Sequence, residues 1–198
     1  MAYIITLSGM LGSGKSTIGN MLAQRLGFEF YSTGNVQRQI AKRYGVTTLE
    51  LNEMCKTNPE IDKEIDSVFM DLPLTGKNYI VDSRMAFHFI PSSFKVKLNV
   101  DCQVAAKRIM NDTARQGEQK YANIEESVQA LISRRQLEVE RFKKIYQVDI
   151  DNEYNFDYVL DTTHHTPDEL CDKIIARFEK FKHQLEIEKK LETYMPIE

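Results

Sequence analysis

The chain has few cysteines, no long apolar run and no tract of biased composition, and each shortage removes a class of protein. Cys55, Cys102 and Cys171 are the only thiols in 198 residues. They stand far apart, with no CxxC or Cys/His spacing, so they read as reduced, packed thiols rather than a disulfide framework or metal site. The apolar start is too short for a signal peptide and lacks its flanks, and no run reaches the length of a membrane span. A soluble, cytoplasmic protein with no membrane partner is expected. Repeats, low-complexity tracts and Pro/Gly/Ser linkers are missing too, so a single domain over residues 1–198 is the economical reading. A net charge of −3 argues against a nucleic-acid partner. No Ser/His/Asp or Cys/His arrangement offers a protein nucleophile.

What is present begins with one strong signal. The apolar stretch from Tyr3 to Ser8 runs into Gly9-Met10-Leu11-Gly12-Ser13-Gly14-Lys15-Ser16-Thr17, the pattern GxxxxGKS, and then into Ile18, Met21, Leu22 and Leu26 at helical spacing. A strand before and a helix after are the context in which this pattern is a phosphate-cradling P-loop. The glycines let successive backbone N–H groups converge on one anion, and the helix that starts near Lys15 adds the positive end of its dipole. Lys15 is placed to reach the β- and γ-phosphates of ATP, and the Ser16 hydroxyl to ligate Mg²⁺.

Short apolar runs alternate with longer helical patterns along the rest of the chain. The expected strands are Tyr3 to Ser8, Phe28 to Tyr31, Asn78 to Asp82, Phe94 to Val100 and Phe156 to Asp161. Their Val, Ile, Phe and Tyr content and the helices between them predict an α/β P-loop NTPase fold, with a five-stranded parallel sheet covered by helices on both faces. Ligands then belong at the carboxyl ends of the strands. Helix starts are expected at Thr33, at Thr47 with Glu50, at Asn58 with Pro59, at Asn123 with Glu126, and at Thr166 with Pro167 and Glu169. The stripe Ile61, Ile65, Val68, Phe69 and Leu72 should carry the Pro59 helix through Leu72. The polar stretch 112–122, with Arg115, Gly117 and Lys120, reads as an exposed loop or as a short lid that closes over a reaction.

Three constellations narrow the chemistry. Tyr79-Ile-Val-Asp82 is an apolar strand ending in a carboxylate, the usual place for the group that holds Mg²⁺ or its waters in a P-loop enzyme. Arg134, Glu138 and Arg141 line a second face of the long helix from Asn123 to Tyr146, away from its apolar stripe. They form either a surface ion-pair ladder, worth about half a kilocalorie per pair, or a pair of guanidinium groups for phosphate. Thr33 caps a helix that leaves Arg38 on its polar side, which makes a second anion site separate from the P-loop.

In order along the chain, GMLGSGKST, STGNVQR, PEIDKEID, DSR, Arg134 with Glu138 and Arg141, RFKKIYQVDID and VLDTT resemble the nucleoside monophosphate kinases, most of all the small archaeal-type cytidylate kinases. The resemblance covers about Ile4 to Thr163. It implies transfer of the γ-phosphoryl of Mg-ATP to CMP or dCMP, with ATP and a nucleoside monophosphate as partners. It further implies acceptor-binding helices over about 33–72, a lid over about 112–122, and acceptor contacts from Thr33, Arg38, Arg84 and Glu138. Arg134, Arg141 and a lid cation, Arg115 or Lys120, are implied to stabilise the transferring group, with Lys15 holding the donor and Ser16 and Asp82 organising the metal. Archaeal-type members usually carry aspartate where this chain has Asn35, and glycine where it has Ser83, so the departures lie on the acceptor side. Rival readings are a P-loop kinase for another metabolite, such as shikimate or a sugar acid, and an ATP-binding regulatory domain without transfer. The helical pattern over 166–194 extends past the resemblance. Its charged end reads as a solvated helix or as a homodimer contact.

Overall fold

The computed structural model describes residues 2–112 and 121–194. Five parallel strands, β1 (Ile4–Ser8), β2 (Glu29–Ser32), β3 (Tyr79–Asp82), β4 (Phe94–Asn99) and β5 (Tyr158–Asp161), form one sheet in the order β2-β3-β1-β4-β5. The central strand β1 is buried along its whole length, as a strand covered on both faces must be. Its alternation assigns the two faces. Ile5 and Leu7 join Ile80, Val96 and Leu98 on one side. There they meet Ile18 and Leu22 of α1 (Lys15–Leu26), and Leu170, Ile174 and Phe178 of α8 (Pro167–Tyr194). Ile4 joins Tyr79 and Val81 on the other, against Phe69, Leu72, Ala86 and Ile90. The three-layer α/β arrangement expected from the sequence is therefore present.

Three helices inserted between β2 and β3 make a small lobe of their own: α2 (Thr33–Tyr44), α3 (Thr48–Thr57) and α4 (Pro59–Ser67). Val36, Ile40, Leu51, Cys55, Ile61 and Ile65 form its core. After the short α5 (Ala86–Phe89) and β4, helices α6 (Cys102–Met110) and α7 (Ile124–Tyr146) pack against each other through Ala105, Ala106, Ile109 and Leu131. Among the described residues no helix is long and apolar enough to cross a membrane.

The local signals mostly do what their chemistry predicts. Thr47 and Glu50 close a reciprocal capping box, as do Thr166 and Glu169, and the Asn58 side chain accepts from Glu60 N–H. Three expectations need correction. Asn123 accepts from Glu126 N–H, but the Glu126 carboxylate reaches Ala122 N–H instead of closing a box. The α4 stripe stops at Ser67; Phe69 lies in the following turn, and Leu72 opens a 3₁₀ turn, Leu72–Thr75, in which Pro73 has no N–H to continue an α-helix. Thr33 is not a cap: Ser32 holds that position, and Thr33 Oγ1 donates to the Asp82 carbonyl at 3.1 Å.

Candidate active site

The carboxyl ends of β1, β3 and β2 face one cleft, and the loop after β1 forms one wall of it. Gly9 (φ +146°) and Gly12 (φ +80°) take backbone conformations that side chains disfavour, and neither has room for one. A Cβ on Gly9 would lie 2.3 Å from the Leu98 carbonyl oxygen, and one on Gly12 would lie 2.8 Å from that of Ala105. Met10 and Leu11 pack on the α6 cluster that holds Ala105, Ser13 is fully buried, and Gly14 immediately precedes α1, which Lys15, Ser16 and Thr17 open. Lys15 Nζ curls back over the loop and donates to the carbonyls of Gly9 and Met10, each at 2.8 Å. Burial pushes its pKa down to about 8, against the opposing pull of Asp82.

Ser16 Oγ donates to Asp82 Oδ2 at 2.7 Å, so the hydroxyl at the start of α1 and the carboxylate at the end of β3 meet directly. A hydroxyl and one buried carboxylate are the hard oxygen donors that Mg²⁺ takes from a protein when phosphates and waters complete its shell. The residues therefore fit that ion.

Opposite the loop lies a cluster of guanidinium groups gathered on one acid. Glu138 Oε2 is 2.6 Å from Arg84 Nε, and Glu138 Oε1 is 3.2 Å from Arg134 Nε. Arg135 reaches the same carboxylate at 3.9 Å. Burial alone would raise the Glu138 pKa; Arg84, Arg134 and Arg135 together hold it below the ordinary carboxylate range. The sequence expectation that Glu138 sits between Arg134 and Arg141 is thus half right. Arg141 turns away to Asp62 Oδ2, at 3.4 Å, and Arg84 from the end of β3 takes its place. Thr33, Asp62, Asp66, Ser83, Arg84, Arg134, Glu138 and Arg141 line one cleft. Arg38 is paired with Asn35 Oδ1 on the first turns of α2. Ser83 is buried, its Oγ accepting from Met85 N–H. Arg115 and Lys120 lie outside the described residues, as does most of the expected lid.

Several residues that organise the site carried no signal in the sequence. Arg108 of α6 donates to the Gly12 carbonyl at 3.3 Å and to the Thr162 carbonyl at 2.6 Å, tying the phosphate loop to the end of the sheet. Asp151 accepts from Arg135 at 2.5 Å and faces the buried Lys97 at 3.7 Å, which anchors Arg135 beside Glu138. A second cleft, at the ends of β4 and β5, is lined by Asn99, Asp101, Asp161, Thr163 and His164. Only the run VDID hinted at Asp151, and only within the resemblance.

Comparison with known proteins agrees with this geometry. The chain is 41% identical over 180 residues to an S-adenosylmethionine-dependent nucleotide dehydratase of Lacinutrix mariniflava, covering 89% of this chain but 36% of that protein. It thus spans about a third of that relative's length. It is 32% identical over 182 residues to a cytidylate kinase of Sulfurisphaera tokodaii, covering 90% of this chain and 96% of the relative. Shikimate kinase of Acinetobacter baumannii shares the fold, with a TM-score of 0.58 at 20% identity over 92% of this chain and 96% of that one. With residues 4–164 matching the family as a whole, the chain belongs to the cytidylate kinase-like family.

Proposed function

We propose that the protein is an ATP-dependent nucleoside monophosphate kinase that transfers the γ-phosphoryl group of Mg-ATP to CMP or dCMP, giving ADP and CDP or dCDP. The observation that carries the reading is the pair of facing anion sites. The phosphate loop presents Lys15 and converging amides, and across the cleft Arg84, Arg134 and Arg135 share one carboxylate, with Arg141 close by. Two such sites suit two phosphorylated ligands. A kinase acting on an unphosphorylated acceptor needs only one.

Transfer asks little covalent chemistry of the protein; positioning and charge stabilisation are the work. Lys15 swings from its loop carbonyls to the β- and γ-phosphates, aided by the amides of residues 9–17. Ser16 and Asp82 hold Mg²⁺, which when bound neutralises charge on the donor phosphates. Thr33, Arg38 and Arg84 seat the acceptor phosphate, whose own oxygen attacks, so no protein nucleophile is required. Glu138 keeps Arg84 and Arg134 in place until the acceptor arrives. Arg134, Arg141 and Arg115 of the lid over 112–122 stabilise the charge that spreads in the transition state. The helices over 33–72 close on the acceptor as part of a single kinase domain, and the charged end of the helix over 166–194 is either solvated or a homodimer contact. A coupled ADP-release assay across CMP, dCMP, UMP, AMP, GMP and shikimate tests the reading. Turnover of CMP or dCMP well above ATP hydrolysis alone is expected, and none with any monophosphate refutes it.

The 41% identity to part of a nucleotide dehydratase supports a second, compatible reading. In such a setting the kinase reaction supplies phosphorylated nucleotide to a dehydratase acting on the same base. Supplying the purified protein with a dehydratase of that kind, its S-adenosylmethionine and reductant, and CMP would then yield dehydrated nucleotide only when ATP is present.

A further inference from the structure

The cleft holds two buried acids that the donor site does not use, and of the arginines facing it only Arg141 lies beside one of them, Asp62. Asp62 and Asp66 lie one helical turn apart on α4, on the face turned to the cleft. They are 3% and 4% exposed. Asp62 Oδ2 is buried without a hydrogen-bond donor, because the Arg141 Nε beside it at 3.4 Å is misaligned. Asp66 Oδ2 accepts from Tyr146 Oη at 2.7 Å, and its other oxygen has no hydrogen-bond partner among the described residues. Buried carboxyl groups are ordinarily satisfied. Two that face a cleft with open valences are arranged for donors and acceptors that a ligand brings.

Resting on the monophosphate-kinase reading, we propose that Asp62 and Asp66 recognise the acceptor's base. Asp62 accepts, as a carboxylate, from an exocyclic amine, and Asp66 donates, as a carboxyl, to the neighbouring ring nitrogen. The ligand class is an aminopyrimidine nucleotide. Burial raises the Asp62 pKa, and Arg141 from α7 and the Cys55 thiol oppose it by favouring the carboxylate. Burial, with a smaller contribution from the Asp62 charge, pushes the pKa of Asp66 up to about 7, against the pull of Tyr146 and Arg141. The other titratable group at the pair is Cys55 of α3, which faces Asp62 and whose thiol is itself pushed up to about 11 by burial; His88 of α5 lies against the Phe89 and Tyr146 rings. The fixed donor and acceptor suit cytosine, whose amine donates and whose N3 accepts. Uracil presents the reverse pattern, and its O4 would meet the Asp62 charge. Adenine carries the same amine-and-nitrogen pair as cytosine, so it is the competitor that matters.

The test is the ratio of kcat/KM for CMP to that for UMP, with AMP in parallel, from pH 6 to 8.5. Both pyrimidine acceptors carry the same phosphate, so its titration cancels. The wild-type ratio should fall about tenfold between pH 6 and pH 8 as Asp66 loses its proton. Asp66→Asn donates an amide N–H that does not titrate, and should flatten that profile. Asp66→Leu should lower the ratio at pH 6 roughly tenfold or more, because the site then leaves N3 unpaired. A profile that Asp66→Asn leaves unchanged, or a ratio that survives both Asp66→Leu and Asp62→Asn, overturns the inference while leaving kinase activity intact. If no monophosphate is turned over, the kinase reading fails separately. Calorimetric binding of CMP against UMP then reads the same preference, and equal affinities would overturn the base assignment. Thermal melts of each variant establish that it is folded.

Discussion

Replacing Glu138 by glutamine should weaken the empty protein markedly, and an anion should repair the damage. Glu138 is 9% exposed and is shared by Arg84, Arg134 and Arg135. Glutamine keeps its shape but not its charge. Removing one partner of a buried pair costs about 3–5 kcal/mol. Here Arg134 is 43% exposed in its side chain and rehydrates, while Arg135 keeps Asp151. About 2–3 kcal/mol is left after that discount, or roughly 4–12 °C in Tm for a domain of this size. Differential scanning fluorimetry at pH 7.5 measures it. The sign with pH follows from the depressed pKa of Glu138: its contribution is present above the unfolded-state carboxylate value and is lost as pH falls through the folded one. The difference between E138Q and wild type should therefore close in acid. Inorganic phosphate at tens of millimolar should raise the Tm of E138Q more than that of wild type, because it replaces the missing negative charge. Variant and wild type melting within a degree of each other, or responding equally to phosphate, would refute the view that these arginines form an anion site held ready by Glu138.

Four further outcomes are expected. Lys15→Ala should slow phosphoryl transfer on the order of a hundredfold or more. A bound triphosphate raises the lowered Lys15 pKa, so above pH 8 ATP binding takes up a proton and weakens; calorimetry at pH 8.5 in two buffers of different ionisation enthalpy should give different heats, and identical heats would be contrary. Gly12→Ala meets both a left-handed φ and the Ala105 backbone, and should destabilise by about 2–4 kcal/mol in denaturant unfolding; a wild-type midpoint would count against the loop geometry. Arg38→Ala should raise the acceptor KM about tenfold with little change in the ATP KM, and a change confined to ATP would misplace Arg38.

The fold was legible where one physical rule dominated. A parallel sheet buried on both faces demands short continuous apolar runs, and those runs located all five strands to within about two residues. The glycine pattern of the loop was readable because few backbones other than a nest of amides need Gly9, Gly12 and Gly14 together. The overrun of α4 came from a period that treats Phe69 and Leu72 as helical, although both fill the sheet face from a turn. Side-chain partners across elements were the least legible. Helical spacing put Arg134 and Arg141 beside Glu138 but could not say that Arg84 would displace Arg141. Arg108 and Asp151 are single polar residues whose partners come from distant segments. Asp62 and Asp66 fall within PEIDKEID, a motif of the resemblance, but nothing in that motif told their burial, which the packed structure shows.

The most direct measurement follows the phosphorus itself. With ATP labelled in the γ-phosphoryl group, Mg²⁺ and CMP, label should appear in the β-phosphate of CDP in step with ADP. Substitution of Lys15 or of Arg84 should slow its appearance on the order of a hundredfold or more. Label found only in inorganic phosphate, or remaining in ATP while CMP is bound, would contradict transfer between two facing phosphate sites.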